Sequence, residues 1–380
     1  SGVISMKHDG TSVSEIVGIY LGDGMKKVMR VFSVILLILV GTVFVTSPAG
    51  LLTSMTGIDK NIWVVLIIIY YIVATVLPVD KVIGKIYPIF GASLLFMAIG
   101  LAGAMIIGHF NGSMVMPEMT LQNLHPSGLS IFPFLFTTIA CGALSGFHST
   151  QSPMMARCIN RESESKRVFY GAMVVEGIVA LIWCAVTIAF FGESGVIQSA
   201  LDSFGGQSGV VSHISKELLG PIGAVLAVLG VVACPITSGD TAFRSARLTI
   251  ADAFNIKQDG LLSRFKLAIP LFAVCVFLTT IDFNIIWRYF AWSNQTLATI
   301  FLWTATVYLI KNEANYWISL IPATFMSSVC VSYILQAPEG FRLNAMFSNG
   351  VGVVAAIVLF VLFMLNKNKF VKNKDSKNIA

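Results

Sequence analysis

VFSVILLILVGTVFV (residues 31–45) and WVVLIIIYYIVATVL (residues 63–77) decide the fold class. Neither stretch carries a charge, and neither alternates apolar and polar residues as the strands of a membrane barrel do. In hydrocarbon such a segment is stable as a helix, because a helix satisfies its backbone hydrogen bonds internally. Crossing the bilayer takes about 20 apolar residues, with roughly 17–25 as the working range. The pattern recurs along the chain and predicts ten spans, at about 31–53, 62–78, 88–108, 130–147, 168–191, 218–237, 265–282, 285–310, 315–335 and 345–365.

Composition agrees. The 380 residues are 56% hydrophobic and 12% charged, with a mean hydropathy of +0.82. A soluble domain carries about 25% charged residues, so an ordinary water-soluble enzyme, a disordered chain and a small disulfide scaffold are all excluded. The fold class predicted is all-α, a polytopic transmembrane helical bundle of about ten spans. Residues 1–366 form the transmembrane domain and 367–380 a basic, flexible cytoplasmic tail that also favours anionic lipid. The six cysteines form no C-x-x-C pair. They read as packing thiols, and no metal or disulfide framework is predicted.

The net charge of +6 could suggest nucleic acid, but the basic residues form no patch. Their placement encodes orientation instead. With the N-terminus inside, 21 of the 25 Lys and Arg residues fall on inner segments, and only Lys60, Lys216, Arg288 and Arg342 fall outside. Both ends are therefore expected on the cytoplasmic side. The outer loops 109–129 and 192–217, rich in Gly, Ser, Asn and Pro, read as exposed connections. The inner segment 241–266 has helical spacing, with Asp240 as its candidate cap.

Polar interruptions at membrane depth carry the functional information, because broken helices persist only inside protein or along a wet cavity. In IACGALSGFHSTQSPMMARC, Gly142 and Gly146 allow close helix contact. Ser145, His148, Ser149, Thr150, Gln151 and Ser152 then precede Pro153, which disfavours helix. An unwound stretch is predicted there, with the positive end of the following half-helix available to a carboxylate. The competing reading is a polar helix end at the inner interface, with His148 as a packing residue. In GVVACPITSGDTAFRSARL, Pro235 and Gly239 flank Thr237 and Ser238, and Asp240 follows. This chemistry suits Na⁺ or H⁺, although a turn with an N-cap would use the same residues. In WRYFAWSNQTLATIF, Ser293, Asn294, Gln295 and Thr296 lie deep in a span, where amides bond either a solute or neighbouring helices. Arg288 reads as an interfacial anchor or a clamp for an anionic solute. Glu176 is the one carboxylate in its apolar run, and is either a proton carrier or a structurally bonded neutral acid.

No nucleotide-binding loop, H-E-x-x-H, G-x-S-x-G or voltage-sensing arginine series is present, so a primary pump or an intramembrane hydrolase lacks its usual motifs.

FPFLFTTIACGALSGFHSTQSP (132–153), RVFYGAMVVEGIVALIW (167–183), PITSGDTAFRSARL (235–248) and FNIIWRYFAWSNQTLA (283–298), with the opening SMKHDGTSVSEIVG, resemble the carbon starvation protein A family. The resemblance implies a bacterial inner-membrane secondary transporter. Such proteins are associated with peptide uptake in carbon starvation and, in some members, with proton-coupled pyruvate uptake. It also implies a distant likeness to the amino acid–polyamine–organocation transporters, whose core is two inverted five-helix repeats. The chain looks like the family's shorter version and lacks the Gly/Pro-rich helical region that precedes the matched opening, so it is expected to be N-terminally truncated.

The expectation is therefore a transporter working by alternating access, importing a pyruvate-like carboxylate or short peptides, and not an enzyme. Ser145, Gly146, His148, Ser149, Thr150, Gln151, Asn294 and Gln295 are the candidate solute site. Glu176, Thr237, Ser238 and Asp240 are the candidates for ion coupling or gating. The partners are the solute, a coupling H⁺ or Na⁺ and the bilayer, with no other cofactor and no nucleic acid. Two rivals remain: a transporter-like nutrient sensor acting on a signalling partner, and a membrane enzyme using His148 and Asp240 as a dyad.

Overall fold

A computed structural model of the chain describes residues 1–76, 79–116, 118, 120, 122–126, 128–192, 194–258 and 260–372. Among these residues there is no strand. Two short helices, α1 (Gly2–Met6) and α2 (Val13–Leu21), precede α3 (Asp23–Thr56), which contains the first apolar run. Then come α4 (Lys60–Val76), α5 (Val79–Phe110), α6 (Ile131–Ala143) and α7 (Gly146–Ala156). A π turn, Lys166–Gly171, leads into α8 (Ala172–Phe191). The chain continues through α9 (Ser194–Ser203), α10 (Gln207–Ala227), a second π turn (Val228–Ala233) and α11 (Cys234–Phe254). It ends with α12 (Leu261–Leu278), α13 (Phe283–Lys311), α14 (Trp317–Gln336) and α15 (Ala345–Lys372).

Each of the ten predicted spans falls largely on helix. Seven described helical stretches are long and apolar enough to cross a membrane: Asp23–Thr56, Tyr87–Phe110, Glu162–Phe191, Gln207–Phe254, Leu261–Leu278, Trp317–Gln336 and Ala345–Phe370. Lys60–Val76 and Ile131–Ala140 are apolar but shorter. The 29 residues of α13 are long enough, but Ser293, Asn294 and Gln295 lower the apolarity of its middle. The protein is an all-α, multi-pass membrane protein.

Two expectations about connections change. Segment 192–217, read as an open loop, holds α9 and the start of α10, where His213 stacks on Phe204 with ring centroids 4.1 Å apart. Residues 367–372, the first of the stretch read as a flexible basic tail, are helical and continue α15. Lys367 is anchored there by donating to the Tyr316 hydroxyl at 2.9 Å and lying over its ring. The remainder of the tail, 373–380, lies outside the described residues, as do positions 117, 119, 121, 127 and 193 of the two outer loops. Of the cysteines, Cys275 and Cys330 are buried, whereas Cys158 and Cys184 are exposed.

The chain divides into two compact units. The first comprises Ser1–Leu37, Ser130–Val174 and Asn284–Ala380. One of its apolar clusters contains Val307, Ile310, Leu320 and Phe363, with Trp303, Tyr316 and Phe360 packed around them. The second comprises Ile38–Leu129 and Val175–Phe283. Its core gathers Met97, Leu101, Val186, Val210, Ile214 and Ala227. Tyr71 is also buried in this unit, with its ring against Phe243 and Phe272.

Candidate functional site

The first unit contains a broken helix. At the end of α6, Leu144 (φ −142°, ψ 88°) leaves the helical region, and Ser145 (φ −111°, ψ 125°) caps α7. The break is therefore at Leu144–Ser145, upstream of the predicted position, and Pro153 lies inside α7. The reason is local. Pro153 cannot donate to the carbonyl four residues back, which belongs to Ser149, and the Ser152 hydroxyl donates to that carbonyl at 2.8 Å instead.

Side chains of α13 hold this break in place. The Asn294 Oδ1 accepts the Phe147 backbone N–H at 2.7 Å and the Ser145 hydroxyl at 3.2 Å. Ser145 Oγ in turn accepts the His148 N–H at 3.4 Å. Leading N–H groups of a helix have no partner within the helix, and here an amide oxygen and a hydroxyl supply one. Gly146 makes the approach possible, since a Cβ there would lie 2.4 Å from the Asn294 carbonyl oxygen. Asn294 and Gln295 are both fully buried, and Gln295 Nε2 donates to the Thr137 carbonyl of α6 at 3.4 Å. The polar stretch of α13 thus binds both halves of the broken helix.

The structure accordingly brings together Ser145, Gly146 and Asn294, with Gln295 beside them on α13. The remaining candidates follow along α7. Ser149 donates to the Ser145 carbonyl at 3.1 Å and Thr150 to the Phe147 carbonyl at 2.6 Å, so both hydroxyl protons are committed to their own helix. Gln151 donates to Thr150 Oγ1 at 3.2 Å. His148, Thr150 and Gln151 are half-buried, whereas Ser145 and Ser149 are buried. Arg288, considered as a solute clamp, faces Glu339 at 3.1 Å. Glu339 also accepts the Tyr333 hydroxyl at 2.5 Å.

The coupling candidates lie in the second unit. No break occurs at Pro235–Gly239: α11 runs unbroken through Thr237, Ser238 and Asp240. The π turn Val228–Ala233 stands immediately before Pro235 and widens the helix where the ordinary hydrogen-bond ladder cannot continue. Asp240 is consequently not a cap. It pairs with Arg244 one turn later at 3.1 Å. Beside the pair, Arg247, Thr75 and Phe272 help line a cavity of about 10 Å³, close to the minimum for one water. Two guanidinium groups so close make this a poor cage for Na⁺. Thr237 donates to the Cys234 carbonyl at 2.9 Å, and the Ser238 carbonyl accepts the Thr241 hydroxyl at 3.0 Å. Glu176 is on another helix, α8, and is half-buried.

Several features escape a reading by residue type alone. The backbone departs from helix at Gly220 (φ 62°, ψ −148°), which the Gly-Pro dipeptide in LLGPIG signals. Arg244 follows Asp240 at the spacing that pairs charges on a helix. Tyr71, whose hydroxyl takes the space that a Cβ on Gly239 would need, has no signal in the sequence.

The profile described as carbon starvation protein CstA matches residues 47–220 and 198–333, well over half of the chain. An uncharacterized membrane protein of Haemophilus influenzae is 37% identical over 252 residues, which is 53% of this chain and 68% of that protein. The peptide transporter CstA of Helicobacter pylori is 26% identical over 306 residues, covering 62% of this chain and 44% of the transporter. The pyruvate/proton symporter BtsT of Escherichia coli is 37% identical over 103 residues, covering 26% of this chain and 14% of the symporter. The chain thus spans less than half the length of these two transporters.

Proposed function

The chain belongs to the carbon starvation protein CstA family, and from that premise we propose that it serves secondary active transport across the bacterial inner membrane. Its cargo is a small carboxylate of the pyruvate class or a short peptide, and its driving ion is H⁺ or Na⁺. Both ends of the chain face the cytoplasm in this reading, as the 21-to-4 distribution of Lys and Arg suggests. A role during carbon starvation follows from the family's name.

The observation that carries the proposal is the break between α6 and α7. A half-helix that begins inside a membrane protein presents backbone N–H groups and the positive end of its dipole to an anionic group. Asn294 Oδ1 already occupies part of that position, 2.7 Å from the Phe147 nitrogen. A carboxylate oxygen has the same acceptor chemistry with more charge, and charge-assisted hydrogen bonds are roughly twice as strong as neutral ones. The solute carboxylate is therefore assigned to the N-terminus of α7, beside the half-buried His148, Thr150 and Gln151. Asn294 positions the break. Glu176 is assigned to proton transfer and the Asp240–Arg244 pair to gating.

Uptake of labelled pyruvate and dipeptides into proteoliposomes holding the full gene product tests this function. Under an imposed pH or Na⁺ gradient, the wild-type protein accumulates one of them, Glu176→Gln loses the response to the proton gradient, and Asp240→Asn slows uptake. Undiminished gradient-driven uptake in both variants would refute the coupling and gating roles.

A further inference from the structure

The first unit contains a second cavity, of about 430 Å³. Its size is within the ≈ 300–1,000 Å³ of small-molecule sites, but its chemistry is different from that of the break. Ile300, Trp303, Leu359 and Phe363 supply apolar walls. The few polar groups there are engaged: Trp303 Nε1 donates to Ser327 Oγ at 3.0 Å, and Thr299 donates to the Gln295 carbonyl at 2.8 Å. Nothing of this kind suits a carboxylate solute. A hydrocarbon chain suits it, because the cavity follows the membrane-spanning parts of α13, α14 and α15.

The residues at one end of the cavity are flanked in the sequence by basic side chains. The cavity reaches from Thr299, mid-way along α13, to Leu21, Met25, Asn366 and Phe370, which lie at the ends of α2 and α15 and the start of α3. Segments 22–27 and 366–370, which carry that end, contain Lys26, Lys27, Lys367 and Lys369 against the single acid Asp23. Lys26 is paired with Glu15, whereas Lys27 and Lys369 are exposed. Lys367 contacts the neutral Tyr316 hydroxyl and so keeps its charge available. An apolar slot between spanning helices, whose lining residues Met25, Asn366 and Phe370 are flanked in the sequence by lysines, is complementary to a lipid with an anionic headgroup.

We propose that this cavity is a binding site for an anionic phospholipid. One acyl chain lies along Ile300, Trp303 and Leu359, and the phosphate lies among Lys27, Lys367 and Lys369. The site is separate from the α6–α7 break, and its test does not depend on transport.

The test uses the full chain in nanodiscs of equal phosphatidylcholine and phosphatidylglycerol, followed by detergent exchange and native mass spectrometry. Phosphatidylglycerol should be retained preferentially. The preference should fall about fivefold for each lysine neutralised in Lys27→Gln, Lys367→Gln and Lys369→Gln, the factor expected from the ~1 kcal/mol that one basic residue contributes near an anionic surface. Independently, phosphatidylglycerol with brominated chains should quench wild-type tryptophan emission more than that of Trp303→Phe. Equal retention of the two lipids, a preference unmoved by the lysine variants, or equal quenching of wild type and Trp303→Phe would each overturn the proposal. So would loss of all lipid together with a dimer joined through this face, which would assign the cavity to a second copy of the chain.

Discussion

The Asn294 side-chain oxygen accepts the backbone N–H of Phe147 at 2.7 Å, joining two residues 147 positions apart in the sequence. Through this contact α13 fixes the point at which α7 begins. The same oxygen accepts the Ser145 hydroxyl, so one buried amide supports both the cap residue and the first turn. Asn294→Ala leaves these donors without their acceptor, a cost of about 1–3 kcal/mol for a buried group. Asn294→Asp keeps an acceptor of similar shape. In thermal unfolding in mild detergent, the alanine variant should melt clearly below wild type, with the aspartate variant between them.

Glycine substitutions separate close packing from helix propensity. A Cβ on Gly146 would meet the Asn294 carbonyl oxygen at 2.4 Å and Leu297 Cβ at 2.9 Å, whereas one on Gly177 of α8 would meet nothing within 4 Å. Gly146→Ala should destabilise by roughly 1–3 kcal/mol, the usual cost of overpacking. Gly177→Ala should be neutral or mildly stabilising, since alanine is favoured over glycine in a helix by up to about 1 kcal/mol. The same unfolding assay compares the two.

Arg288 and Glu339 form an asymmetric pair, with the arginine side chain 41% exposed and the carboxylate 2% exposed. Removing the arginine strands a buried charge, which Tyr333 and its hydroxyl would hold alone. Arg288→Ala should therefore cost roughly 1–3 kcal/mol. The double variant Arg288→Ala/Glu339→Gln should recover part of that loss, because the uncompensated charge is gone. A double-mutant cycle in detergent measures the coupling.

Acid should loosen α2 before the spanning helices. Burial alone would push the Glu15 carboxyl up, but the hydrogen bonds and charges of Lys26 and Arg30 outweigh it and hold its pKa below the usual value. Both cations lie 2.6 Å away. A carboxylate with a lowered folded pKa contributes stability above its unfolded pKa, and that contribution is lost as pH falls through the lowered value. The protection of the Val13–Leu21 amides against hydrogen exchange, taken relative to the intrinsic rate at each pH, should fall on acidification in that window. The dependence should be absent in Glu15→Gln, which exchanges faster at neutral pH already.

Much of the architecture could be read from the sequence. Runs such as residues 31–45 leave helix as the only favourable state in lipid, and the structure places α3 there. The polar cluster around Ser145 and the amides at 294 and 295 were also visible, because each is costly at depth unless partnered. Their partnership was not visible, since nothing local links Asn294 to Phe147. Proline misled twice. Pro153 and Pro235 both sit inside helices, one relieved by the Ser152 hydroxyl and the other preceded by a π turn, and neither compensation is coded by the proline itself. Arg288 read as an anchor or a clamp because its partner Glu339 is 51 residues away. The Asp240–Arg244 pair was within reach of helical spacing once α11 is continuous, but the expected break at Pro235 obscured it.

The most direct test of the account is solute protection at α7. Thr150→Cys, in a cysteine-free background of the full gene product, places a thiol beside the assigned carboxylate position. Its rate of maleimide labelling is then measured in proteoliposomes with and without the transported solute. The account predicts that saturating pyruvate or dipeptide, whichever is taken up, slows labelling of Thr150→Cys but leaves a distant exposed position such as Lys257→Cys unchanged. Equal labelling rates at Thr150→Cys with and without a solute that the same vesicles accumulate would contradict it.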